Sequence, residues 1–284
     1  MRLDTTESED QWMTDATIDG FRCGGGFRPN DQQTRSGPRD ARGRSYADES
    51  VFMGEEETRK ELILTIDQQI QFLAEAALRK GVQNSQAKSG FVIVEHSRTG
   101  EILAMAGQPT HNPNAFWNST PDVWRNRPVT DVFEPGSTMK PILLAAALDM
   151  KAVKPDDLFF CENGSFDVAD ETIHDSKKHG WLSAAQILQV SSNIGMIKIG
   201  RLVGKDAYYN AIRDCGFGQK TSIDLPGESS GLILNRNRWS QVTLASASFG
   251  HGIGVTGVQL VNAISAIANG GVLMQPYVVR RVQG

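Results

Sequence analysis

The pattern of apolar and polar residues along this chain becomes regular at Glu61. Residues 62–66 form a short apolar run that predicts a strand, and Asp67 after it is a good helix N-cap. The helix predicted next carries one apolar face, with residues spaced three and four apart. That face consists of Ile70, Leu73, Ala74, Ala77 and Leu78. We therefore expect ordered structure to begin here.

Beyond this helix the pattern predicts strands interspersed with helices. Two β-type runs, residues 91–94 and 101–106, flank a turn at 97–100 and indicate a hairpin. A loop rich in Pro and Asn is expected at about 108–136. Helices are predicted near residues 137–150, 183–203, 206–214 and 257–268, the last closed by Asn269-Gly270-Gly271. The predicted fold class is α+β, a mixed α and β domain.

The first 60 residues show no such periodicity. They are rich in charged residues, glycine and small polar residues, with only scattered apolar positions. Such a segment cannot bury enough apolar surface to offset its ordering entropy. We interpret residues 1–60 as disordered or as a linker, and residues 61–284 as the folded domain.

Composition and charge narrow the functional classes. Of the 284 residues, 39% are hydrophobic, which is enough for a sizeable core. The net charge of -4 lies entirely in residues 1–60, because the remainder holds 20 basic and 20 acidic residues. This balance predicts no nucleic-acid partner. No window approaches the roughly 20 apolar residues of a membrane-spanning helix, and no signal peptide is recognisable, so this chain is expected to be soluble without an anchor.

The strongest candidate for chemistry is Ser137 with Lys140. A Pro-Gly pair precedes them and a run rich in Leu and Ala follows, so a helix must begin close to Ser137. Residues three apart on a helix share a face, and a lysine of lowered pKa can take the proton of a serine hydroxyl. Free N–H groups at the helix start can bind an oxyanion. A second Ser-x-x-Lys, from Ser85 to Lys88, has no apolar helix behind it and is interpreted as coincidental.

Three other features are weaker. Ser191-Ser192-Asn193 interrupts an apolar helical stretch, and taken alone it indicates a capped helix junction. Residues 252–257 match G-x-G-x-x-G, but no acidic residue follows Glu228, so the ribose contact of a dinucleotide site is missing. His174 and His179 lack a third ligand. We expect no metal and no cofactor.

Ser-x-x-Lys after a Pro-Gly bend, followed by Ser-Ser-Asn, resembles the penicillin-binding transpeptidases, whose motifs are Ser-x-x-Lys, Ser-Asp-Asn and Lys-Thr-Gly. Further stretches are similar to the class B penicillin-binding proteins, most of all the division-type septal enzymes. They are residues 39–44, 62–67, 100–106, 112–114, 133–141, 217–228, 238–240 and 249–252. The resemblance implies the penicillin-binding protein/serine β-lactamase fold over residues 61–284, an antiparallel sheet flanked by helices. It also implies that residues 1–60 include the remnant of an N-terminal pedestal.

The resemblance also implies roles for four residues. Ser137 would be the acylated nucleophile and Lys140 its base; Ser191 would relay a proton, and Asn193 would hold Lys140 and the substrate amide. The implied enzyme is a peptidoglycan D,D-transpeptidase that cross-links D-Ala-D-Ala stem peptides and is acylated by β-lactam antibiotics. Its implied place is the extracytoplasmic side of the cell envelope, with the division or elongation machinery as partners.

One motif of the family is missing from this chain. The nearest string to Lys-Thr-Gly is Lys220-Thr221-Ser222, which has no glycine. In the family that motif lies beyond the point where this chain stops and supplies half of the oxyanion hole. We therefore expect an internal piece of a longer enzyme that acylates slowly or not at all, since one lost donor costs roughly 10²–10³ in rate. A catalytically incompetent module, a β-lactam sensor and a β-lactamase-like relative remain alternatives.

Overall fold

A computed structural model of the chain describes residues 61–283 and places helices between short strand pairs. The helices are α1 (Gln68–Ser85), α2 (Arg127–Thr130), α3 (Lys140–Asp149), α4 (Ala184–Val190), α5 (Asn193–Val203), α6 (Lys205–Asp214), α7 (Gln241–Ser248) and α8 (Gly257–Ala268). The strands are β1 (Glu61–Leu64), β2 (Gly90–Glu95), β3 (Ile102–Gln108), β4 (Leu158–Phe160), β5 (Ser165–Val168), β6 (Glu171–His174), β7 (Trp181–Ser183), β8 (Leu232–Ile233), β9 (Ile253–Gly254) and β10 (Val279–Gln283). The mixed α and β class is confirmed.

The strands pair in antiparallel ladders of two: β1 with β10, β2 with β3, β4 with β7, β5 with β6, and β8 with β9. The β2–β3 pair is the hairpin expected from the sequence, and α1 lies against it. Across residues 61–283, no helix combines the length and the apolar character needed to cross a membrane. Our interpretation of residues 1–60 lies outside the described residues.

Helix α1 begins where the sequence predicts, but its buried face is rotated relative to the predicted one. The Asp67 carboxylate caps it by accepting two backbone N–H bonds of 3.0 Å. Of the predicted apolar face, Ala74 and Leu78 are buried, whereas Leu73 is 65% exposed. The cause is Gln71, whose amide donates to the Met105 carbonyl at 3.1 Å and accepts from the Met105 N–H at 2.8 Å. This polar contact with β3 sets the rotation of the helix about its own axis.

Several short elements were not predicted from the sequence. The expected loop at 108–136 contains α2 and two 3₁₀ turns, and the strands β4 to β7 are only three or four residues long. Elements this short show too few repeats for a period to be recognised. Helix α7 is built largely from small Ala and Ser residues, so it has no contrast between an apolar and a polar face.

The main hydrophobic core surrounds α3 and α5. Fully buried side chains on these two helices include Ile142, Leu143, Ile194, Met196 and Ile199. Burial of side chains of this size contributes about 1.5–3 kcal/mol each. Because both helices are packed in the same core, the positions of their N-terminal ends relative to each other are set. Those two ends carry the candidate site.

The contact between α5 and α7 depends on Gly200. A Cβ at this position would lie 2.2 Å from Ser248 Oγ and 3.3 Å from Ser248 Cβ. We expect Gly200→Ala to lower the free energy of unfolding by about 1–3 kcal/mol through overpacking, although alanine is the better helix former. Removing the hydroxyl as well, in Gly200→Ala/Ser248→Ala, should recover most of that loss. Equilibrium unfolding in denaturant measures both variants, and a double variant no more stable than Gly200→Ala would contradict the packing argument.

Candidate active site

Ser137 lies on an exposed turn that leads directly into α3. The turn is a short 3₁₀ helix, Gly136–Met139, and α3 begins at the next residue. Met139 is fully buried and anchors the turn from below, while Ser137 is exposed. The helix entrance expected near Ser137 is therefore confirmed, with a tighter first turn than an α-helix has.

The segment that presents Ser137, residues 133–136, is bound along its length to residues 250–255. We call residues 133–136 the elbow. Phe133 and Val255 exchange two backbone hydrogen bonds, of 3.0 and 2.9 Å, and the Gly136 N–H donates to the Gly250 carbonyl at 3.0 Å. Gly250 has φ +84°, and a Cβ there would lie 1.9 Å from the Gly136 carbonyl oxygen. Only a glycine permits this approach of the two backbones.

Glu134 adds side-chain contacts to the same junction. Its carboxylate accepts the Gly252 N–H at 2.9 Å and lies 2.9 Å from His251 Nδ1. The Gly252 N–H, and then His251, hold the pKa of Glu134 below its usual value. The carboxylate is thus ionised at neutral pH and keeps both contacts. Our reasoning from sequence missed Glu134, because its partners lie 117 and 118 positions away.

Lys140 is buried although it stands in the first turn of α3. Its side chain extends to the break between α4 and α5 and is 1% exposed. Nζ donates to the Ser191 carbonyl at 2.6 Å, to Ser191 Oγ at 2.9 Å and to Asn193 Oδ1 at 2.8 Å. An ammonium has three donors, so each of them is used. The structure thus brings three of the four predicted site residues into direct contact.

Burial also shifts the protonation of Lys140. Loss of solvent disfavours the ammonium and lowers the pKa of Lys140 to about 8, and the negative charge of Asp175 opposes this shift. A lysine near this value holds a proton at neutral pH but can release it readily. That is the property required of a general base.

Ser137, the fourth predicted residue, lies one helical turn before Lys140. No described hydrogen bond joins Ser137 to Lys140, because the three bonds from Nζ go to Ser191 and Asn193. When Lys140 loses its proton it keeps two donors and gains a lone pair.

The Ser191-Ser192-Asn193 cluster is both a helix junction and a set of ligands for Lys140. Ser191 adopts the left-handed conformation, with φ +59°, and ends α4. Ser192 caps α5 by accepting the Gly195 N–H at 2.9 Å. This sharp reversal turns both the Ser191 carbonyl and its hydroxyl toward Lys140. The junction expected from the sequence exists, and it is what forms the binding site for the amine.

The remaining candidate motifs lie outside this site or form hydrogen bonds with backbone groups. Ser85 ends α1 and donates to the Gly81 carbonyl at 2.7 Å. Lys220-Thr221-Ser222 forms a loop in which the Glu228 carboxylate accepts two N–H bonds and one hydroxyl bond. Residues 252–257 contribute to the junction with the elbow. Within residues 61–283 no three or more His, Cys, Asp or Glu side chains group as metal ligands.

Comparison with known proteins identifies the family. The family model described as "Penicillin binding protein transpeptidase domain" matches residues 90–284, which is more than half of the chain. The chain belongs to this family. The resemblance to class B penicillin-binding proteins noted from the motifs is confirmed, as is the transpeptidase fold.

Individual relatives agree with this assignment. The chain is 38% identical over 215 residues to the probable peptidoglycan D,D-transpeptidase PenA of Neisseria gonorrhoeae, and 33% identical over 224 residues to the peptidoglycan D,D-transpeptidase FtsI of Escherichia coli. These alignments cover 76% and 79% of this chain but 37% and 38% of the relatives. Penicillin-binding protein 3 of Mycobacterium tuberculosis, solved with aztreonam, is similar in structure, with a TM-score of 0.74 and 32% identity. That alignment covers 78% of this chain and 50% of the solved one.

The contact between the elbow and residues 250–255 predicts different effects of substitution at two glycines, Gly250 and Gly252. Gly250 and Gly252 both have positive φ, +84° and +72°, so alanine at either position carries a backbone cost of roughly 1–2 kcal/mol. Only Gly250→Ala also places a Cβ against the Gly136 carbonyl, since no atom lies within 4 Å of a Cβ at Gly252. We expect Gly250→Ala to lower the melting temperature by several degrees more than Gly252→Ala does. Equal losses in thermal unfolding would show that the close approach to Gly136 is unimportant.

Proposed function

We propose that residues 61–284 form the transpeptidase domain of a peptidoglycan D,D-transpeptidase in which Ser137 becomes acylated. The observation that carries this proposal is the buried Lys140 amine, bound by Ser191 and Asn193, one helical turn after an exposed Ser137. A lone Ser-x-x-Lys would be weak support, but here the lysine is desolvated and its pKa is lowered. Membership of the penicillin-binding transpeptidase family supplies the substrate class.

In the first half-reaction, neutral Lys140 accepts the proton of Ser137 as Oγ attacks the carbonyl carbon of the penultimate D-Ala of a stem peptide. The carbonyl oxygen becomes an oxyanion, which the Ser137 N–H at the helix entrance helps to stabilise. When the tetrahedral intermediate collapses, the bond to the terminal D-Ala breaks. Lys140 returns its proton to the leaving amine through the Ser191 hydroxyl.

In the second half-reaction an amine of a neighbouring stem peptide attacks the acyl-enzyme. Ser191 receives the proton of this amine and passes it to Lys140, and Ser137 leaves as the free hydroxyl once Lys140 reprotonates it. Asn193 serves both steps in this scheme, since Oδ1 holds the amine of Lys140 while Nδ2, which donates one hydrogen to the His174 carbonyl, offers its second hydrogen to the substrate peptide. The product is a cross-link between two strands of peptidoglycan. No proton is gained or lost overall.

The same serine would react with β-lactams, whose strained amide resembles the scissile bond. The aztreonam complex of the mycobacterial relative makes this class of compound the natural reporter. We place the protein in the cell envelope, on the outer side of the cytoplasmic membrane where peptidoglycan is assembled. Division or elongation proteins are its proposed partners.

Ser-x-x-Lys occurs twice in the chain, so Ser85 serves as an internal control for the proposed nucleophile Ser137. In the full-length gene product, Ser137→Ala should abolish covalent labelling by a fluorescent penicillin, whereas Ser85→Ala should label at the wild-type rate. Gel fluorescence and intact-protein mass measure the adduct. A wild-type protein that folds but never labels would refute the proposed activity and favour an incompetent module. Labelling that survives in Ser137→Ala would refute the assignment of the nucleophile.

The lowered pKa of Lys140 predicts the pH dependence of acylation. Only the neutral amine can accept the Ser137 proton, and with a pKa of about 8 roughly a tenth of the lysine is neutral at pH 7. The second-order rate constant for penicillin labelling should therefore rise about tenfold per pH unit below pH 8 and level off above it. Labelling reactions quenched at fixed times between pH 5.5 and 9.5 measure this profile. A rate that stays flat across that range would exclude Lys140 as the base.

A further inference from the structure

Asp175, on the loop between β6 and β7, is bonded to the start of α5. One oxygen of its carboxylate accepts the N–H of Asn193 at 2.5 Å and the N–H of Ile194 at 3.2 Å. The other oxygen accepts the hydroxyl of Ser192 at 2.6 Å. A carboxylate at the N-terminus of a helix is favoured both by these donors and by the helix dipole. Asp175 therefore caps the start of α5 together with Ser192.

The residue before Asp175 acts on the same asparagine. The His174 carbonyl accepts a hydrogen bond from Asn193 Nδ2 at 3.0 Å. This contact decides which end of the amide faces the lysine, because it leaves Oδ1 free to accept from Lys140 Nζ at 2.8 Å. The backbone and the side chain of Asn193 are thus both set by two successive residues, His174 and Asp175. Neither residue belongs to the three motifs of the family.

We propose that Asp175 is a positioning residue for the reaction, which holds the turn at residues 191–193 against Lys140 and places a negative charge beside the residues that bind the Lys140 amine. This inference rests on the proposed acylation of Ser137. It assigns to Asp175 two separable effects, one on geometry and one on charge. A residue with a merely structural part in the fold would have only the first.

The charge effect has a defined sign. Burial lowers the pKa of Lys140 and the Asp175 carboxylate raises it, so the value near 8 is a balance between the two. Other titratable groups around the turn are Cys161, the Lys198–Glu162 pair and His174 at the end of β6. Lys177, Lys178 and His179 lie on the loop that carries Asp175. The Glu134–His251 pair stands at the elbow.

The experiment is the pH profile of penicillin acylation in the full-length gene product carrying Asp175→Asn. Asparagine can still accept the two N–H bonds and can donate to Ser192, so most of the geometry is kept. Without the negative charge the ammonium is less favoured, and we expect the rising limb of the profile to move to lower pH by at least about half a unit. The matched control is Asp167→Asn, which neutralises an exposed carboxylate on β5, bonded to Thr172, and should leave the limb in place.

Two further variants separate geometry from charge. Asp175→Ala removes both effects, so the plateau rate should fall about 10²-fold and the limb should still move to lower pH. Asp175→Glu keeps the charge but misplaces it, so the plateau should fall while the limb stays at the wild-type pH. Should Asp175→Asn fail to fold, as judged by its melting temperature, Asp175→Glu decides the question. A wild-type plateau rate in Asp175→Glu would then overturn the positioning role.

Different experimental outcomes would refute this inference and the proposed function. A wild-type protein that is not acylated refutes the function itself. A wild-type protein that is acylated, together with an Asp175→Asn profile that keeps both the wild-type limb and the wild-type plateau, overturns the role of Asp175 and leaves the function intact. A lower plateau with an unmoved limb in Asp175→Asn would overturn the charge effect.

Discussion

The structure of the site depends on one buried amine. An ammonium removed from water is costly unless its donors are bonded, and Lys140 at 1% exposure meets that requirement with three acceptors on a single turn. The turn can offer them only because Ser191 takes a left-handed conformation between two helices. Those helices are in turn held in the core around α3 and α5, so the packing of the protein and the protonation of Lys140 are linked.

Ser137, the proposed nucleophile, is held by a different kind of contact. Lys140 and its ligands are joined through side chains, whereas the elbow before Ser137 is joined to residues 250–255 mainly through backbone atoms and the glycine at position 250. Backbone contacts leave the Ser137 side chain exposed to a substrate, while the amine next to it is shielded. An exposed serine beside a shielded amine is the arrangement that the proposed acyl transfer requires.

In the proposed reaction, Lys140 must satisfy two opposing demands. It must be a proton acceptor at neutral pH, which burial favours, and it must remain bonded to its neighbours when protonated, which a nearby carboxylate favours. Asp175 answers the second demand without touching the amine, because it acts through Ser192 and Asn193 and through its charge. The carboxylate that caps α5 thereby also influences the pKa of Lys140.

Sequence alone was sufficient for features that depend on neighbours along the chain. The Asp67 cap, the β2–β3 hairpin, the helix entrance at Ser137 and the family itself follow from local spacing and motifs. The exposed Leu73, the contacts of Glu134 and the position of Asp175 do not, because each depends on partners between 17 and 118 residues away. The packing of the helices, and the need of buried polar and charged groups for hydrogen-bond partners, decide which distant residues come into contact. Only the tertiary structure shows these contacts.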